Sequence, residues 1–163
     1  MTEIKKAVNS DDLKRIAKLA NIIWHEHFPP IIGEAQVDYM VSKFQSFEAI
    51  STAVKENNYI YYMAFDNGEL CGYIGIHPEG NAVLLSKIYI EKSHRGKKIS
   101  RQMIETVQNE FSDYDYMWLT VNKHNDNSVA AYKKMGFEIT SEQVADIGNG
   151  FVMDDYIMEK KIK

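Results

Sequence analysis

The spacing of apolar positions changes along the chain, and each change marks an element. Leu13, Ile16, Ala17, Ala20 and Ile23 recur every three or four residues, which is one stripe of a helix. Asn9-Ser10-Asp11-Asp12 supplies N-cap side chains and early acids for it, and Pro29-Pro30 stops it. A short strand is expected before it, at 3–8. A second helical region spans about 34–55, with Val37, Met40, Val41 and Phe44 on one face and Ser46 placed to open a new helix. The spacing then turns strand-like. Aromatic and β-branched runs at 59–65 and 70–76 flank Asp66-Asn67-Gly68-Glu69, where Asn-Gly signals a hairpin. A strand at 82–90 leads into a polar, basic loop at 91–97, and Ile99, Met103, Ile104, Val107 and Phe111 mark the next helix. Residues 116–121 read as a buried strand, and 127–135 as a short helix ended by Gly136. A final pair of strands at 137–144 and 151–158 closes around Ile147-Gly148-Asn149-Gly150.

This order predicts a mixed α+β fold. A central twisted sheet of six to seven strands, mostly antiparallel, carries helices on both faces. No repeat, low-complexity tract or linker divides the 163 residues, so one domain is expected, with residues 1–57 and 58–163 as its two parts. Cys71 is the single cysteine and has no partner for a disulfide, which reads as an intracellular chain. The start lacks a secretory pattern and no apolar run reaches membrane length, so a cytoplasmic location is expected. With 19 basic against 23 acidic residues the net charge is −4, which argues against nucleic acid as a partner and suits cationic ones better.

Candidate chemistry concentrates in two segments. In Lys87-Ile88-Tyr89-Ile90-Glu91-Lys92-Ser93-His94-Arg95-Gly96-Lys97-Lys98-Ile99-Ser100 a strand enters a basic turn and then a helix. Unpaired N–H groups at that helix start, with Arg95, Lys97 and Lys98 around Gly96, suit an anion such as a pyrophosphate. A solvated basic loop would look the same. The spacing of a Walker A loop is missing, so nucleotide hydrolysis has no support. In the second segment, Asn125, Ser128 and Tyr132 fall on one face of a helix, a polar stripe better suited to a ligand than to a core. A capped helix with a merely packing tyrosine is the competing reading.

In this order the two segments resemble the GCN5-related N-acetyltransferase (GNAT) superfamily. Arg95-Gly96-Lys97-Lys98-Ile99-Ser100 lies on its [QR]-x-x-G-x-[GA] motif, and Asn125, Ser128, Tyr132 and Gly136-Phe137 lie on its downstream motif. Lys98 stands at the usual glycine and Ser100 at the usual final small residue. A lysine is tolerable there if its φ stays negative. Residues 147–158, with Trp24-His25-Glu26-His27-Phe28 and Gln36-Val37-Asp38-Tyr39-Met40, look similar to the PaiA-like polyamine acetyltransferase branch. The resemblance implies acetyl-CoA as co-substrate, residues 1–57 as acceptor-side elements, and 58–163 as the acetyl-CoA-binding sheet and helices.

It further implies direct transfer of acetyl to a small amine, a polyamine or another cationic amine, in a ternary complex. Tyr132 is then the acid toward the CoA sulfur. Ile88, Tyr89 and Ile90 offer backbone groups to the pantetheine arm, and Arg95, Gly96, Lys97, Lys98, Ile99 and Ser100 hold the phosphates. Asn125 and Ser128 lie near the arm, and Lys134 near a phosphate. Leu84, Leu85 and Ser86 occupy the neighbourhood where many relatives carry a glutamate base. His77 is the best single candidate for that role on its unperturbed pKa; Glu79, His25, Asp154 and Asp155 are alternatives, and a water chain needs none of them. His25 and His27 diverge on a helix and join no cluster, so no metal is expected. A protein N-terminus or lysine as acceptor, and a non-catalytic CoA-binding module, are the competing functions. Edge strands near the C-terminus leave a homodimer open.

Overall fold

The computed structural model describes residues 1–163. Seven strands form one sheet: β1 (Thr2–Lys6), β2 (Ile60–Asp66), β3 (Glu69–Glu79), β4 (Ala82–Ile90), β5 (Tyr116–Asn122), β6 (Glu138–Gly148) and β7 (Phe151–Lys161), in the order β1-β2-β3-β4-β5-β7-β6. Every neighbouring pair is antiparallel except β4–β5. Helices cover both faces. On one lie α1 (Ser10–His27), α2 (Pro29–Ile32), α3 (Glu34–Met40), a π-type turn at Val41–Gln45, and α4 (Phe47–Glu56). On the other lie α5 (Ile99–Glu110) and α6 (Asp126–Lys134). The core is accordingly double. Ile16, Ile23, Trp24, Ile50, Tyr61 and Tyr73 are buried under α1–α4, and Ile74, Leu85, Met103, Ile104, Met117 and Phe137 under α5 and α6.

Local chemistry explains the element ends that sequence placed correctly. Asn9 caps α1 by accepting the Asp12 N–H at 2.9 Å, and Ser46 caps α4 by accepting that of Ala49 at 3.2 Å. Asn67 and Gly68 turn the β2–β3 hairpin with φ of 52° and 83°, the left-handed pair that a tight hairpin needs. Several ends differ from expectation: β1 stops at Lys6 and not at residue 8, β3 runs to Glu79 and not to 76, β7 to Lys161 and not to 158, and β6 to Gly148 and not to 144. The end of β6 is tied to α3 and to the π-type turn after it, because the Tyr39 hydroxyl and Lys43 Nζ each donate to the Ile147 carbonyl at 2.7 Å.

Two irregularities of β4 make the cleft. β4 pairs with β5 only over Ala82–Leu84, against Tyr116–Trp118, and the two strands then part. Beyond Leu84 the β5-facing edge of β4 has no strand partner. On the other edge, Ile76 faces Leu85 and Gly75 faces Lys87, so Ser86 is a bulge residue with no counterpart. The extra residue reverses the alternation. Leu85 and Ile88 both pack toward α5, although an unbroken strand would point them to opposite faces, while Tyr89 packs toward α1. Lys87, two residues before Tyr89, therefore shares the α1 face.

Candidate active site

Where β4 and β5 separate, a cleft of about 640 Å³ opens through the sheet. Its floor is the free edge of β4, and Ile88, Tyr89 and Ile90 line it. Their unpaired backbone groups can extend the sheet onto an amide-bearing ligand. The start of α5 forms one rim. No side chain caps this helix and no acid lies in its first turn, so its leading N–H groups and positive dipole end are left for an anion. Arg95, Gly96, Lys98, Ile99 and Ser100 line the same rim. A pyrophosphate fits this donor set, since the residues offer cations and free N–H groups with no competing carboxylate among them.

The backbone of Lys98 departs from the sequence expectation. Its φ is +61° and its ψ +27°, so the lysine stands in the left-handed conformation that glycine adopts freely. The turn keeps its geometry without the glycine, at a cost of about 1–2 kcal/mol for a residue with a Cβ. Lys98→Gly is expected to raise stability against urea by about 1 kcal/mol. An unchanged or lower midpoint would show that the bend is not strained.

Asp66 fixes this bend, a role that no local pattern revealed. It ends β2, is only 7% exposed, and receives Lys97 Nζ at 2.7 Å and His94 Nδ1 at 3.0 Å. The Lys97 bond, followed by the His94 bond, holds its carboxyl below the usual range. The tie is thus present above the ordinary carboxylate pKa and is lost as pH falls through the depressed one. Lys97 itself points at Asp66 and does not line the cleft. Asp66→Asn is expected to weaken CoA binding about tenfold in calorimetry, by loosening the loop. Unaltered affinity would leave the pair a purely structural contact.

Arg95 is also pinned. Its Nε donates to the Ile90 carbonyl at 3.1 Å, and its Nη1 lies 3.4 Å from His27 Nδ1. Burial, then the Arg95 charge, lowers the His27 pKa, so the ring is neutral at neutral pH. Asn125 holds the N-cap position of α6 without capping it. Its buried side chain turns to the cleft, and Ser128 and Tyr132 follow on the same helical face. The Tyr132 ring packs edge-on to Phe137 at 5.9 Å between centroids. Burial holds its hydroxyl well above the usual tyrosine range, so it keeps its proton.

Across the sheet, on the α1 face, stands Asp155. It pairs with Asn122 in the β5–β7 ladder and is 4% exposed, and its Oδ1 is buried without a partner. Burial first, and then the neighbouring Asp154 charge, push its carboxyl up to about 6. Lys123 opposes this only in part, being paired with Glu142 at 2.6 Å and Asp154 at 2.9 Å. Asp155 lines the cleft with Tyr89, whose hydroxyl is held well above its usual range by burial first and then by Tyr132 and the Asp155 charge.

The remaining expected residues lie elsewhere. His77 is outside the cleft: its Nε2 meets Glu79 at 3.2 Å, and its ring stacks on Tyr59 at 5.0 Å. Lys134 is exposed at the end of α6 and does not line the cleft. His25 pairs with Asp38 at 2.6 Å, on a different side of α1 from His27. Cys71 is fully buried in the α5-side core, where burial pushes its thiol up to about 11. No helix is long and apolar enough to cross a membrane.

The model of the acetyltransferase (GNAT) domain matches residues 30–160. A spermidine N(1)-acetyltransferase of Thermoplasma acidophilum is 22% identical over 165 residues, covering 98% of this chain and 96% of its own length. Among solved structures, the PaiA N-acetyltransferase of Thermoplasma acidophilum in complex with coenzyme A superposes with a TM-score of 0.81 at 22% identity, over 99% of each chain. The ribosomal-protein-S18-alanine N-acetyltransferase of Escherichia coli superposes with a TM-score of 0.71 at 17% identity, over 100% of this chain and 95% of its own. At such identities these structures establish the shared fold.

Proposed function

The chain belongs to the GNAT acetyltransferase family and uses acetyl-CoA as its acyl donor, and we propose that it acetylates the primary amine of a small molecule by direct attack in a ternary complex. One observation carries this reading. The cleft through the sheet has a proton-holding phenol, Tyr132, on the α6 face and an unpartnered carboxylate, Asp155, on the α1 face. Acid and base stand on opposite sides of the opening where a thioester would lie.

The thioester arm lies along Ile88–Ile90 and its phosphates at the bend of Arg95–Ser100. The acceptor approaches from the α1–α4 side and is bound as an ammonium by Asp155. Burial disfavours the cation, which helps Asp155 take its proton. The free amine attacks the thioester carbon, and N–H groups of the β4 edge stabilise the charge that develops on oxygen. Collapse of the intermediate breaks the C–S bond, and Tyr132 protonates the leaving sulfur. Asn125 and Ser128 orient the arm. Direct transfer suits this chain, whose single thiol is buried away from the cleft.

The net charge of −4 and the likeness to the spermidine enzyme put polyamines among the amines to be compared, alongside amines that carry a further group the cleft can bind. Thiol release from acetyl-CoA, followed against a panel of amines and peptides, is the test. Release that depends on an added small amine is expected. CoA binding with no such release from any amine would make the protein a binding module.

A further inference from the structure

Building on the acetyl-transfer reading, we propose that the acceptor carries a carboxylate as well as its amine, with Asp155 receiving the amine and Lys87 the carboxylate. Lys87 stands on the acceptor face of β4, one residue past the Ser86 bulge, and lines the same cleft as Asp155. Its Nζ donates to the Phe44 carbonyl at 2.5 Å and to the Tyr61 hydroxyl at 2.8 Å. Both partners are neutral, and an ammonium has a third N–H to give. The Tyr61 contact is built in: the ring lies across Gly75, where an added Cβ would fall 2.8 Å from it.

Two opposite charges thus face one cavity, and neither has a counter-ion. The Asp155 Oδ1 has no partner, and Lys87 meets only the neutral pair above. An unpaired buried charge is costly, so a ligand that satisfies both ends at once removes two penalties. An amino-carboxylate does so. A polyamine would offer several ammonium groups to one carboxylate and set one of them near Lys87, a like-charge contact. The other titratable groups around the cleft do not change this balance. His27 is neutral, and Arg95, Lys98 and His94 belong to the phosphate end. Burial lowers the Lys87 pKa to about 8, which leaves it mostly charged at pH 7.

The test uses the purified enzyme with acetyl-CoA and follows thiol release. Glycine, β-alanine and 4-aminobutanoate are each compared with the alkylamine of matching chain length, with putrescine and spermidine alongside. At least one amino acid is expected to exceed its matched alkylamine by about tenfold or more in kcat/KM, which is one ion pair's discrimination. That ratio is expected to fall toward one in Lys87→Met, or in Lys87→Gln should the first variant not fold. Spermidine or an alkylamine matching the best amino acid in the parent enzyme would overturn the proposal, and so would a ratio that survives the substitutions. Thiol release that no added amine stimulates would instead overturn acetyl transfer itself.

Discussion

Tyr132→Phe is expected to lower kcat by about 10²–10⁴-fold while leaving CoA affinity within a few-fold of the parent. The substitution removes one hydroxyl and keeps the ring that packs on Phe137, so the fold and the cleft wall are retained. Only the proton for the departing sulfur is lost. Because burial keeps the hydroxyl protonated, the parent's activity should show no limb from tyrosine ionisation near neutral pH. Single-turnover kinetics with calorimetric titration of CoA separates the two effects. Unchanged turnover in the variant would remove Tyr132 from the mechanism.

Asp155→Asn is expected to cost about 10²–10⁴ in kcat/KM and to abolish the acidic limb of the pH–rate profile. In the parent that limb should fall near pH 6, where the buried carboxyl titrates. The same change is expected to stabilise the fold. A carboxyl whose pKa is raised on folding is penalised when ionised, so the penalty is absent at low pH, grows as pH rises from the ordinary carboxylate value of about 4 toward about 6, and is complete above that. Asparagine removes it, by at most about 3 kcal/mol at pH 8, with no gain expected near pH 4. Thermal unfolding of both proteins at the two pH values checks the sign. His77→Ala serves as the contrast, since it is expected to retain the acidic limb. A limb lost in His77→Ala and kept in Asp155→Asn would reverse the assignment.

The elements were legible in the sequence because their causes are local. Caps at Asn9 and Ser46, the Asn67-Gly68 turn and the helical stripes depend on near neighbours, and a mostly antiparallel sheet of six to seven strands followed from their order, seven being found. What depends on pairing was hidden. The Ser86 bulge exists only in the register of β4 against β3, and it alone places Lys87 and Tyr89 on the acceptor face. Asp66 read as a turn residue because its partners, His94 and Lys97, come from a distant loop. Asp155 could pass for a solvated strand edge, since its burial comes from the tertiary packing around β7. His77 was favoured because histidine as a residue type titrates near neutral pH, which carries no information about position. At Lys98 the expectation was a negative φ, and the turn holds the lysine left-handed at +61° instead.

Calorimetric titration of coenzyme A into the parent and Arg95→Glu proteins tests the donor site most directly. Saturable binding by the parent is expected, with at least a tenfold loss on charge reversal at the bend beside α5. No binding by the parent, or equal binding by both proteins, would contradict a phosphate site at that bend.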